Sequence, residues 1–228
     1  MSTVAPSAAL PNLKAVLFDL DSTLADSEPL MSLLLLEIVR DHGHAVDAEA
    51  LIPLAGQTFP RKMQALGIPG PHDALDEEYR SRYRDRLGET PALDGAATLL
   101  ATLSEREIGC AIVSNKVEDG AARLIAAFGW DQYLRVIVGR DTASDGTRKP
   151  DAGPALHALA RLDVAPADAC FVGDSADDMG CGASSGCGAV IGLTTTHPAD
   201  ELREAGATHI CATLAEVGEL LLGTRSPA

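Results

Sequence analysis

Apolar residues fall in short runs set between helical repeats along most of the chain. Leu13-Lys14-Ala15-Val16-Leu17-Phe18 is apolar at all but one position, the pattern of a strand buried on both faces. From Pro91 onward a regular rhythm follows. Helices are predicted over 95–106, 117–128, 154–162, 177–185, 199–205 and 214–222, and strands over 109–114, 135–138, 169–173, 189–193 and 208–211. Alternation of this kind implies parallel strands joined by right-handed helical crossovers, an α/β fold with a doubly wound, Rossmann-like parallel sheet.

Between the first strand and Pro91 the pattern is helical only. Ser27 is the expected N-cap of a helix with Pro29 in its first turn that runs to about Gly43. Further helices are expected over 48–54, over 61–66 beyond a loop at 56–60, and over 73–87, where acidic and basic residues alternate on what reads as a solvated face. No strand signal occurs between Asp26 and Glu89. The expected organisation is an α/β core over 12–25 and 90–228, an all-helical cap over 26–89 inserted into it, and a flexible leader over 1–11. An insertion directly after the first strand is placed to act as a lid over whatever site that strand carries.

The 228 residues are enough for a sizeable core, and 33 acidic against 18 basic residues give a net charge of −15. That balance argues against nucleic acid or an anionic membrane surface as partner, both of which need clustered positive charge. The five cysteines contain no Cys-x-x-Cys pair and lie mostly in apolar context, as reduced core thiols do. The Ala/Ser/Pro-rich start lacks the pattern of a signal peptide, and the richest apolar stretch, 30–39, is too short to span a bilayer. A cytoplasmic location is the expectation, with the oligomeric state, monomer or homodimer, left open.

Candidate chemistry collects at the predicted strand ends, where open parallel sheets bind ligands. The first strand ends in Asp19-Leu20-Asp21-Ser22-Thr23. Two carboxylates two residues apart repel each other, and a divalent cation with oxygen ligands, Mg²⁺ above all, would relieve the repulsion. The second strand ends in Ser114-Asn115-Lys116, whose hydroxyl and backbone N–H suit a phosphate oxygen. The loop after the third carries Arg148-Lys149-Pro150, in which the proline stiffens the chain beside an ammonium. The fourth ends in Gly173-Asp174-Ser175-Ala176-Asp177-Asp178, with Asp178 one helical turn beyond Asp174 on the same side.

In this order, on this rhythm, the four motifs resemble the haloacid dehalogenase superfamily, in particular its phosphatases with a helical cap after the first motif, such as phosphoglycolate phosphatase and β-phosphoglucomutase. The resemblance spans roughly 13–197 and includes Asp26-Ser27-Glu28-Pro29. It implies that Asp19 is the nucleophile, forming an aspartyl-phosphate, and that Asp21 is the general acid and base. Asp19, Asp21 and Asp174 would hold Mg²⁺, with Asp178 as a further ligand or an acid behind one. Lys149 and Ser114 would complete the catalytic set, and Asn115 and Thr23 the phosphate-binding surroundings. The superfamily's dehalogenases use the first aspartate without the second acid, so Asp21 favours phosphate chemistry. The partner implied is a small phosphorylated metabolite, phosphoglycolate-like. A sugar-phosphate mutase and a catalytically silent phosphate-binding module are the alternatives.

Two positions depart from the subgroup. Ser22 stands where glycine is usual after the second aspartate, and Asp151-Ala152-Gly153-Pro154 replaces a histidine-containing continuation of Lys-Pro. In the cap, Gly56-Gln57-Thr58 followed by Arg61 and Lys62 offers hydrogen-bonding and positive groups, so Gln57, Arg61 and Lys62 are the candidate specificity residues. The six histidines show no metal-ligand spacing and read as surface or cap residues.

Overall fold

The computed structural model describes residues 10, 12–54, 57, 59–142 and 146–223. The expected leader therefore lies outside the described residues apart from Leu10, and so do Gly56 and Thr58 of the cap loop. In chain order the elements are β1 (Ala15–Phe18), α1 (Glu28–Asp41), α2 (Phe59–Ala65), α3 (Asp73–Arg86), α4 (Ala96–Glu105), β2 (Gly109–Val113), α5 (Glu118–Phe128), β3 (Leu134–Val138), α6 (Gly153–Leu162), β4 (Ala169–Gly173), α7 (Ala176–Ser184), β5 (Ala189–Leu193), α8 (Ala199–Glu204), β6 (His209–Cys211) and α9 (Leu214–Leu222). Contacts divide the chain into two units, Met1–Leu24 with Ala92–Ala228, and Ala25–Pro91. No helix among the described residues is long and apolar enough to cross a membrane.

The first unit is the doubly wound sheet that the alternating pattern predicts. All six strands are parallel, in the order β3-β2-β1-β4-β5-β6. From β1 the chain winds outward one way to β3, then returns to wind the other way from β4 to β6. The reversal places the switch point of the sheet between β1 and β4, which pair in register from Ala15 with Ala169 to Phe18 with Val172. Helices on both faces explain why the central strands carry no polar alternation: every residue of β1 and of β4 is buried. One side chain cluster joins Leu17, Val113, Val138, Leu159 and Phe171, and a second under α8 joins Met179, Val190 and Leu202. All five cysteines are free thiols and four are buried.

The second unit, Ala25–Pro91, contains helices and no strand among its described residues. Its core is Leu35, Val39, Leu51, Leu54, Phe59, Met63 and Ile68, with the rings of Phe59 and Tyr79 5.1 Å apart. The charges of α3 are paired and not merely solvated. Arg80 bonds Asp76 and Arg82 bonds Glu78 one turn earlier, while Arg86 Nη1 reaches Glu37 Oε1 on α1 at 3.0 Å.

Three local expectations change. Residues 48–54 form a 3₁₀ helix containing Pro53, which has no N–H to contribute to an α-helical ladder. Ser27 does precede α1, but its backbone is helical (φ −87°, ψ −19°) and its hydroxyl caps nothing. A capping side chain needs an extended backbone to turn back onto the free N–H groups, and the Ser27 hydroxyl is instead buried without a hydrogen-bond partner. Lys62 is the third. Adjacent helical residues lie about 100° apart, so Arg61 is exposed while Lys62 shares the inward face with Phe59 and Met63. Lys62 is 4% exposed, and its ammonium meets Glu28 Oε1 at 2.9 Å.

That buried pair generates a stability prediction. Glu28→Gln leaves the Lys62 ammonium buried without its charge partner, and the protein should lose roughly 2–4 kcal/mol in urea denaturation. Arg61→Ala, at the exposed neighbour, should change stability by less than about 0.5 kcal/mol.

Candidate active site

β1 delivers Asp19 to the switch point, and Asp19 N–H donates to Val172 O of β4 at 2.9 Å, so the residue is fixed by the last rung of the ladder. The chain then turns. Thr23 and Leu24 both donate N–H to Leu20 O, at 3.4 and 3.0 Å, and Ser22 takes a left-handed conformation with φ 61°. The period of two that would place Asp19 and Asp21 together therefore ends at Leu20.

The centre of the site is a buried ammonium among carboxylates. Lys149 Nζ lies 2.7 Å from Asp19 Oδ1 and 2.6 Å from Asp178 Oδ1. Lys149, Asp19, Asp174 and Asp178 are 4%, 7%, 4% and 0% exposed. Burial alone would push the lysine down, but the charges of Asp178 and Asp19 overcome it and hold Lys149 above the usual lysine range. Burial also pushes Asp19 up to about 8; Lys149 opposes this, while Asp178, Asp174 and Asp21 add to it. Asp174 rises to about 7, first through burial and then through the Asp178 charge, against hydrogen bonds from Thr196 and Thr23.

Asp178 is placed by the start of α7. Its Oδ2 accepts the N–H groups of Asp174 and Ser175 at 3.2 and 3.0 Å, while Ser175 Oγ accepts Asp178 N–H at 3.3 Å, a reciprocal cap. Gly173 makes room for it. A Cβ there would stand 2.4 Å from Asp178 Cβ and Cγ, so the strand end tolerates no side chain. The acid folds back under β4, and Oδ1 is left to face Lys149.

Residues 16–191 match the family model of the haloacid dehalogenase-like hydrolases. The chain belongs to that family. It is similar to a phosphoglycolate phosphatase of Xanthomonas campestris pv. campestris, 32% identical over 185 residues that cover 79% of this chain and 83% of the relative. It is also similar to the tyrosine-protein kinase PtkA of Mycobacterium tuberculosis, 30% identical over 216 residues, 83% of this chain and 71% of the relative. Among solved structures, a haloacid dehalogenase family hydrolase from Deinococcus radiodurans with bound phosphate and sodium shares the fold, with a TM-score of 0.78 at 23% identity, covering 95% of this chain and 99% of that one.

In this haloacid dehalogenase-like hydrolase the structure brings together Asp19, Asp174, Asp178, Lys149 and, at the neighbouring strand end, Ser114. Ser114, 5% exposed, donates its N–H to Val138 O and accepts Lys116 N–H on Oγ at 3.3 Å. Oxygens of Asp19, Asp174 and Asp178 lie within 4.8 Å of one another. Three buried acids face one lysine, and the excess negative charge that raises Asp19 and Asp174 is what a divalent cation would neutralise, so the donor set fits one.

Other expected members stand elsewhere. Asp21 does not join the carboxylate group; after the turn at Leu20 both its oxygens lie 2.9 Å from Lys116 Nζ. Asn115 spends its amide hydrogens on Lys149 O at 3.3 Å and Asp177 Oδ2 at 3.2 Å, bracing the lysine loop, and its buried Oδ1 has no hydrogen-bond partner. Thr23 is fully buried and donates to Asp174 Oδ1 at 3.0 Å, so its hydroxyl serves a carboxylate and not a substrate. Gln57 turns its amide back to Pro53 O at 3.4 Å, and Lys62 is committed to Glu28. Sequence reasoning missed Lys116 as the partner of Asp21 and Thr196 as a second donor to Asp174. Lys116 stands in the Ser114-Asn115-Lys116 motif, which does not name its partner, and no motif marks Thr196; both contacts cross from one loop to another.

Two outcomes test this geometry. A raised value means that ionised Asp174 costs stability, fully so above about pH 7 and not at all below the unfolded value near 3.8. In chelator at pH 8, Asp174→Asn should therefore raise the unfolding free energy by about 1 kcal/mol or more. Ser22→Gly should stabilise by about 0.5–1 kcal/mol in urea, because relief of the left-handed conformation outweighs the added chain entropy of glycine.

Proposed function

We propose that the protein is a Mg²⁺-dependent phosphatase that hydrolyses a small phosphorylated metabolite of the phosphoglycolate kind through an aspartyl-phosphate on Asp19. The observation that carries the reading is the Lys149 ammonium, 2.7 Å from Asp19 Oδ1 and 2.6 Å from Asp178 Oδ1, with Asp174 completing a group suited to a cation. A buried positive charge and a cation-binding set meet at the one carboxylate that ends the central strand, where an anionic phosphoryl group would be received. Similarity to a phosphoglycolate phosphatase supports the substrate class, and the phosphate bound in the Deinococcus structure supports the chemistry. Another relative carries the name of a kinase, so family membership does not choose the acceptor, and the residues must.

In the first half-reaction an Asp19 oxygen attacks phosphorus, the ester P–O bond breaks, and the leaving oxygen takes a proton from Asp21. In the second, water attacks the aspartyl-phosphate, Asp21 takes a proton from that water, and phosphate leaves with Asp19 restored. Splitting the reaction is useful because phosphate monoesters are among the slowest esters to hydrolyse, needing accelerations of up to about 10²¹. A bound Mg²⁺ would supply electrostatic stabilisation of the phosphoryl oxygens and neutralise the excess charge of Asp19, Asp174 and Asp178. Lys149 holds Asp19 in place and contributes positive charge beside the transferring group, with Ser114 offering its hydroxyl at the next strand end. Asp21, whose two oxygens lie 2.9 Å from Lys116 Nζ, enters the first half-reaction protonated and, having given that proton to the leaving oxygen, is the base that takes one from water. To serve the leaving group, Asp21 must turn away from Lys116, and an anionic substrate competes for that same ammonium.

Asp19→Asn should lower kcat for phosphoglycolate by several powers of ten with the circular dichroism spectrum unchanged; retention of more than about a hundredth of wild-type turnover would sink the nucleophile assignment. Asp21→Asn should damage an alkyl phosphate far more than an aryl phosphate, whose phenolate leaves without a proton. Equal losses on the two would give Asp21 a structural role only.

A further inference from the structure

The loop after β5, Thr194-Thr195-Thr196-His197, belongs to none of the four strand-end motifs, yet each of its residues reaches another segment. Thr194 N–H donates to Cys211 O at 3.0 Å. Thr195 Oγ donates to Ser22 O at 2.6 Å, holding the left-handed turn that follows the Asp19 strand. Thr196 Oγ1 donates to Asp174 Oδ2. His197 Nδ1 lies 2.9 Å from Thr196 Oγ1 and 3.0 Å from Asp174 O. The hydroxyl hydrogen of Thr196 is already given to Asp174, so both neighbours of His197 Nδ1 act as acceptors and that nitrogen carries the hydrogen. The result is a chain from His197 through Thr196 to the Asp174 carboxylate.

We infer that this loop orients Asp174 for the cation, with Thr196 as the positioning residue. The inference rests on the cation-dependent reading proposed above. The terminal torsion of an aspartate is soft, a broad two-fold well, so a carboxylate needs contacts to hold one orientation. Asp174 has one hydroxyl on each oxygen, Thr23 on Oδ1 at 3.0 Å and Thr196 on Oδ2. With both edges held, the remaining lone pairs keep one direction relative to Asp19 and Asp178. Thr23 is carried by the same turn that Thr195 anchors through Ser22 O, so the loop acts on both oxygens of Asp174, on one directly and on the other through the turn. Residues that orient ligands in this way typically change metal affinity by 10–100-fold when removed.

The test is calorimetric titration of the metal-free protein with Mg²⁺, and with Mn²⁺ as a second probe, on wild type, Thr196→Val, Thr196→Ser and Thr195→Val, each shown folded by its melting curve. Thr196→Val keeps the shape and loses the hydroxyl, and should weaken the cation by about tenfold or more. Thr196→Ser restores the donor and should stay within about threefold of wild type. Thr195→Val, which does not touch Asp174, should weaken it less than Thr196→Val. Equal affinity of Thr196→Val and wild type would overturn the inference, and so would an equal loss in Thr196→Ser, an equal loss in Thr195→Val, or a wild type that binds neither cation. Because binding is read without turnover, a wild type that binds Mg²⁺ with this pattern of variants but releases no phosphate from any ester would overturn the phosphatase reading alone.

Discussion

Lys149 is the charge around which the site is built. A lysine that is 4% exposed is tolerable only with opposite charge beside its ammonium, and Asp19 and Asp178 take two of its three N–H donors at 2.7 and 2.6 Å. Each contact fixes something further away. Asp19 is held by the ladder between β1 and β4, Asp178 by the reciprocal cap with Ser175, and the lysine loop by Asn115, whose amide reaches Lys149 O. Three loops and two strand ends are therefore locked by one residue, and Gly173 is the space that allows it.

The doubly wound sheet was legible because its cause is local. Strands covered on both faces must be apolar throughout, and the crossover helices must carry one apolar stripe, so the alternation of the two patterns writes the topology into the chain. The gathering of Asp19, Ser114, Lys149, Asp174 and Asp178 was legible for the same reason, since strand order alone brings those ends together. What periodicity does not encode is the direction of a side chain once the strand has ended. Asp21 is two residues from Asp19, but the turn onto Leu20 O carries it to Lys116. Thr23, two residues further, is carried under Asp174. Lys62 and Arg61 share a loop-proximal position and a charge, yet a rotation of about 100° separates a buried ion pair from open solvent.

Ser22 shows how a departure from a family pattern becomes readable only with a backbone. The preference for glycine after the second aspartate has a physical cause here: the position has φ 61°, where a Cβ is strained. Serine accepts that conformation while the turn is held from both sides, by the N–H groups of Thr23 and Leu24 on Leu20 O and by Thr195 on Ser22 O.

The same balance explains why the site carries more acid than its lysine can neutralise. A set with one carboxylate per ammonium would be more comfortable without a cation, but it would offer a divalent ion little net attraction. Three buried acids beside Lys149 reverse this: burial and mutual repulsion raise Asp19 to about 8 and Asp174 to about 7, a cost borne by the fold. The hydroxyls of Thr23 and Thr196 lower that cost at Asp174 without removing its charge, since a hydroxyl stabilises a carboxylate and adds no positive charge of its own. A second lysine in their place would satisfy Asp174 and compete with the cation. Hydroxyl donors leave the charge in place and fix only its direction, which is the combination a metal ligand requires.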